Sequence, residues 1–102
     1  MSEDLAKEQE MYAEVIKLAQ YVSDSRHEQH GAFFKNDIKQ HASGLLNKLW
    51  RCMKDVGYVL SGTPSKVNPD NLIDNINYCV MVLASTEAHK KHPLWEEARK
   101  KK

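Results

Sequence analysis

The sequence predicts an all-α fold, a small bundle of three principal helices plus a short C-terminal helix, assembled as a homo-oligomer. Three observations point there. Apolar residues recur at intervals of three, four and seven along three long segments, the period of an amphipathic helix. Only four Gly and three Pro occur in 102 residues, too few for the many turns of an all-β domain. A chain of this length forms one domain and buries roughly two thirds of its unfolded surface, enough for one modest core.

The first helix runs from about Ser2 to Ser23, with Leu5, Tyr12, Val15, Ile16, Ala19 and Val22 on its stripe. Ser2 is a candidate cap, and Glu3 and Asp4 in the first turn suit the positive end of the helix dipole. The following stretch, Arg26-His27-Glu28-Gln29-His30-Gly31, has no apolar period and reads as a loop. The second helix spans about Asn36 to Tyr58. Ile38, Ala42, Leu45, Leu46, Leu49, Met53 and Val56 form its stripe, with Trp50 beside it. Gly44 interrupts this helix at a cost of up to ~1 kcal/mol relative to Ala. It marks either a close helix crossing or the approach of a ligand.

Ser61-Gly62-Thr63-Pro64-Ser65 is a turn cluster that ends the second helix. The third helix has the sharpest start signal: Asn68 as N-cap, Pro69 at the first helical position and Asp70 in the first turn. Leu72, Ile73, Ile76, Cys79, Val80 and Leu83 give it a wide apolar face. Tyr78 to Ala84 is apolar nearly all round, which makes this helix the central one. It should end near Ser85–His89. A short fourth helix begins at Pro93, with Leu94 and Trp95 as its only large apolar contact. The organisation is thus a helical domain over 1–88 and a basic tail over 89–102.

The formal net charge is +1, but the signs are sorted. Residues 1–28 carry seven acids against three bases, and residues 89–102 carry six bases against two acids. A base excess confined to a terminal tail argues against nucleic-acid binding. The longest apolar run, Tyr78 to Ala84, falls far short of the ~18 residues of a membrane span. The acidic, polar N-terminus shows no signal peptide. Cys52 and Cys79 sit in apolar helical patterns and read as buried free thiols of a reducing compartment. A cytoplasmic protein is the expectation.

Several residues have the equipment for chemistry. Asp70, Asp74 and Asn77 lie at i, i+4 and i+7, on one helical face. Oxygen donors in that array suit Mg²⁺, which prefers hard ligands; the alternative is a solvated helix start whose acids favour the dipole. Glu10 and Glu14 form a second i, i+4 acid pair, and two acidic helices side by side would close a metal site that bridges to a diphosphate. A merely charged surface is the other reading. Lys48 and Arg51, at i, i+3, are equipped to meet phosphate as a point charge and a bidentate fork, or to make routine surface pairs. His27/His30 and His89/His92 repeat an H-x-x-H spacing, without a third ligand at a zinc-like interval. No Gly-rich phosphate loop occurs.

Three features stand in a familiar order: Arg26 to Gly31, then Leu46-Asn47-Lys48-Leu49-Trp50-Arg51, then Asp70-Asn71-Leu72-Ile73-Asp74-Asn75-Ile76-Asn77-Tyr78. This order is similar to small phage and bacterial nucleotide-modification-associated domains, which resemble the MazG-like all-α nucleoside triphosphate pyrophosphohydrolases. The likeness covers roughly Met11 to Ala84. It implies a usually oligomeric helical domain in which carboxylates of two helices hold Mg²⁺. The metal then grips a triphosphate while water attacks the α–β linkage. Carried over, the metal set is Glu10, Glu14, Asp70 and Asp74, with Glu14 and Asp74 catalytic. Lys48, Arg51 and Asn77 would contact the nucleotide. The chain departs from the pattern where MazG-like enzymes have Glu-Glu-x-x-Glu and Glu-x-x-Asp. Here it has Glu10-Met11-Tyr12-Ala13-Glu14 and Asn71-Leu72-Ile73-Asp74. Two functions are therefore expected. One is Mg²⁺-dependent hydrolysis of nucleoside triphosphates to monophosphate and pyrophosphate. The other is a catalytically silent phage-type module that sequesters a nucleotide or binds and inhibits a host protein.

Overall fold

The structure, a computed structural model, describes residues 2–101; Lys102, the last residue of the predicted basic tail, lies outside them. Among the described residues every regular element is helical. The α-helices are α1 (Ser2–Ser25), α2 (His27–His30), α3 (Ile38–Leu60), α4 (Pro69–Thr86) and α5 (Trp95–Lys100). Single 3₁₀ turns at Phe33–Lys35, Pro64–Lys66 and Ala88–Lys91 connect them.

The three long helices fall where the apolar periods place them; the short last one begins at Trp95 rather than Pro93, because His92 to Trp95 first closes a turn, with the Trp95 amide on the His92 carbonyl at 3.0 Å. Their ends follow local chemistry. The Asp37 carboxylate accepts from the Lys39 amide at 2.9 Å, so α3 starts at Ile38 rather than Asn36. The Asn68 side chain accepts from the Asp70 amide at 2.9 Å ahead of Pro69, as predicted. α1 begins with Ser2 already helical, so the predicted capping residue is the helix's first residue instead. The expected loop at Arg26–Gly31 holds a single helical turn, α2, which ends where Gly31 adopts a left-handed φ of 71°. α4 ends at Glu87, which takes the left-handed conformation with φ 58°.

α4 is the hub. It packs lengthwise on α3 and, on another side, against the C-terminal part of α1. Most of its residues from Asn71 to Ser85 are buried or half-buried, as expected for the helix that is apolar nearly all round. Gly44 lies where the ring of Tyr78 from α4 crosses α3, and a methyl group built on Gly44 would overlap that ring. Of the two roles open to this glycine, the close crossing is the one that the fold uses.

The face that α3 turns to α4 is not its apolar stripe. His41, Cys52 and Asp55 are the buried residues of α3, with Gly44, Leu45 and Lys48 half-buried beside them. At 3.6 residues per turn, the stripe through Ala42, Leu46, Leu49, Met53 and Val56 lies about a third of a turn away. It is exposed throughout: Leu46 is 71% and Trp50 69% accessible. An amphipathic stripe ordinarily faces the core; here a polar face has taken its place. Among the described residues only three apolar ones, Ala19, Cys52 and Ile73, are buried.

Candidate functional site

The polar face of α3 and the hub helix meet in an ion triad. The Asp74 side chain, 8% accessible, receives Arg26 Nη1 on Oδ1 at 2.7 Å and Lys48 Nζ on Oδ2 at 2.9 Å. One carboxylate on α4 thus ties the α1–α2 junction to the middle of α3. Burial pushes the Asp74 pKa up, but the hydrogen bonds and charges of Lys48 and Arg26 outweigh it, and the carboxyl titrates below its ordinary range. One turn further along α4, the Asn77 amide donates to the Ala19 carbonyl of α1 at 3.0 Å. The two residues singled out as metal and nucleotide ligands therefore act as braces between helices.

A second buried carboxylate braces the other end. Asp55 Oδ1 accepts the Asn68 amide at 2.8 Å, which pins the Pro64–Lys66 turn and the start of α4 onto α3. Close by, the Cys52 thiol points to the Asn71 carbonyl at 3.4 Å. Burial, reinforced by the Asp55 charge, raises the Cys52 pKa, so the sulfur stays protonated at neutral pH. Both cysteines are free, as expected; Cys52 is buried, whereas Cys79, expected to be buried too, is half-buried.

Beside the triad opens a pocket of about 230 Å³. Arg26, His27 and His30 form one wall, and Asn36, Gln40 and His41 another. Asp74, Asn77, Tyr78 and Met81 of α4 close it, with Phe33 at the side. His41 Nε2 donates to the Phe33 carbonyl at 2.8 Å, and the two rings meet edge-on at 6.1 Å. This contact fixes the Phe33–Lys35 turn against α3. Arg26 remains 48% accessible at the pocket rim although one of its nitrogens is held by Asp74. Two cations against one carboxylate leave the triad with a net positive charge, directed at a cavity otherwise walled by aromatic rings and amides.

The other predicted site residues lie elsewhere. Glu10 and Glu14 are exposed on α1, and Asp70 is exposed in the first turn of α4, while Asp74 is buried. Among the described residues no three His, Cys, Asp or Glu side chains converge as a metal site. The four carboxylates thus do not fit Mg²⁺ within one chain. Of the basic pair, Lys48 is engaged by Asp74 and Arg51 is exposed, and neither belongs to the pocket wall. Sequence reasoning missed Arg26, His41 and Tyr78 as pocket residues. The dense Arg-His-Glu-Gln-His-Gly run with no apolar period was the available signal for the first. Among the described residues no helix is long and apolar enough to cross a membrane. No protein-family model, no curated protein and no solved structure matches this chain.

Proposed function

We propose that the protein is a small helical binding module that takes a nucleotide, by its phosphate and base, in the pocket beside the Arg26–Asp74–Lys48 triad. The observation that carries this reading is the surplus cation: Arg26 is half-exposed at the rim of a cavity lined by Phe33, Tyr78 and amide side chains. A guanidinium is suited to phosphate, and aromatic rings with amides are suited to a base. The volume, about 230 Å³, suits part of a nucleotide rather than a whole triphosphate. The resemblance to nucleotide-handling MazG-like domains agrees with this ligand class. Binding is favoured over hydrolysis because Asp74 is already engaged by two cations and, among the described residues, the exposed Glu14 does not converge with other carboxylates into a metal site.

Titration calorimetry with a panel of ribo- and deoxyribonucleotides, in chelator and in millimolar Mg²⁺, tests the reading. Binding is expected without metal. Arg26→Gln should weaken it by about 10- to 100-fold, the equivalent of one charged hydrogen bond of about 1.5–3 kcal/mol, with circular dichroism confirming the fold. Metal-dependent pyrophosphate release would restore the hydrolase. Absence of binding by every nucleotide would remove this ligand class.

A further inference from the structure

The single chain leaves an unusually large surface in water. A folded monomer of 11.7 kDa ordinarily exposes about 5,900 Å², and this one exposes 8609 Å², an excess of about 2,700 Å². Its radius of gyration is 15.7 Å, against about 13 Å for a compact domain of this length. The excess has two sources. Leu46, Leu49, Met53, Val56 and Leu60 on α3 are all exposed and alternate by three and four, the spacing of a coiled-coil seam. On α1, Leu5, Tyr12 and Val15 continue the stripe that packs on α4 at Ala19, yet they are exposed, Tyr12 at 76%.

We propose that a second copy of this chain covers both seams at once, α1 of each copy lying along α3 of the other in a two-fold dimer. Charge selects this pairing over α3 on α3 or α1 on α1. α1 carries six acids against two bases, whereas α3, with Lys48 held by Asp74 and Asp55 buried on the Asn68 amide, offers only the three exposed bases Lys39, Arg51 and Lys54. Like pairs repel and the cross-pair attracts. Area fits as well. If each copy hides its excess, the pair buries about 5,000 Å², the size of an obligate homodimer interface. The two-fold arrangement makes the contact twice and closes, so no open filament forms. This surface is distinct from the nucleotide pocket, and its test is independent of any ligand.

The experiment is a charge exchange read by sedimentation. One variant reverses the acids nearest the α1 seam (Asp4→Lys, Glu8→Lys) and the other reverses bases of α3 (Lys39→Glu, Lys54→Glu). All four positions are exposed, and circular dichroism checks that each variant stays helical. The native protein should sediment as a dimer at micromolar concentration. Each variant alone should dissociate at least 10-fold more readily. An equimolar mixture should regain the dimer, because both cross-pairs in the mixed species are again acid on base. A native monomer overturns the proposal. So does a variant that dimerises as well alone as in the mixture.

Discussion

The two faces of α3 make opposite uses of their residues. The inner face, against α4, is built on His41, Gly44, Lys48, Cys52 and Asp55, and each either bonds a neighbour or makes room for one. The outer face carries Leu46, Leu49, Met53 and Val56, all of them exposed. Apolar contacts stabilise without direction, whereas a buried carboxylate between two cations works only in one register. The inner face therefore sets how three helices fit, whereas the outer face leaves its apolar side chains exposed.

The sharpest break in this contrast is at Asp74. Asp74→Asn removes the charge between Arg26 and Lys48 and should cost about 3 kcal/mol, the order expected when a buried pair loses one partner. Urea unfolding measures it. Acid should produce the same loss in the native protein. A carboxyl whose folded pKa lies below its unfolded value contributes its full stability above the unfolded pKa, near 4. That contribution disappears as pH falls from there through the depressed folded value. Melts from pH 6 to 2 should show the decline, and Asp74→Asn should flatten it.

Asp55→Ala is next. It strips the Asn68 amide of its acceptor at the start of α4 and should cost about 1–3 kcal/mol. Asp55→Asn, which keeps an acceptor oxygen, should recover most of this. Gly44→Ala sharpens the steric side of the inner face. Helix propensity gains up to ~1 kcal/mol, but displacing the Tyr78 ring costs about 1–3 kcal/mol, so net destabilisation is expected by thermal melt. The smallest effect belongs to the outer face. In dilute solution Leu46→Gln should shift stability by under about 0.5 kcal/mol, as surface changes do. Raised protein concentration should widen that gap, since association stabilises by mass action.

Periodicity made the helices and their order legible. The Asn68-Pro69-Asp70 start stood out because capping is a contact between neighbours in the chain. The hub role of α4 followed from Tyr78 to Ala84 being apolar on every side. What could not be read was which face of α3 turns inward. Its partners lie far away in sequence: Lys48 meets Asp74 across 26 positions, and Arg26 meets Asp74 across 48. The same distance explains the candidate site. Asp74 was read as a metal ligand and Asn77 as a nucleotide contact, because a spaced acid and amide look alike whether they serve a metal or a bond between helices. Only the arrival of Arg26, Lys48 and the Ala19 carbonyl decides between these uses. The pocket, gathered from four separate segments, had no local trace beyond the His-rich run.

The bond from Asn77 to Ala19 joins positions 58 apart, and this has a consequence for synthesis. α1 leaves the ribosome well before the helix that receives it. At about 5–20 residues per second, roughly 3–12 s separate the two. α3 and α4 are neighbours in the chain and pair as soon as both exist, since local contacts form fastest. α1 therefore waits as an acidic amphipathic helix with no surface of its own to lie on. Its excess of acids keeps such waiting helices apart from one another until α4 is complete.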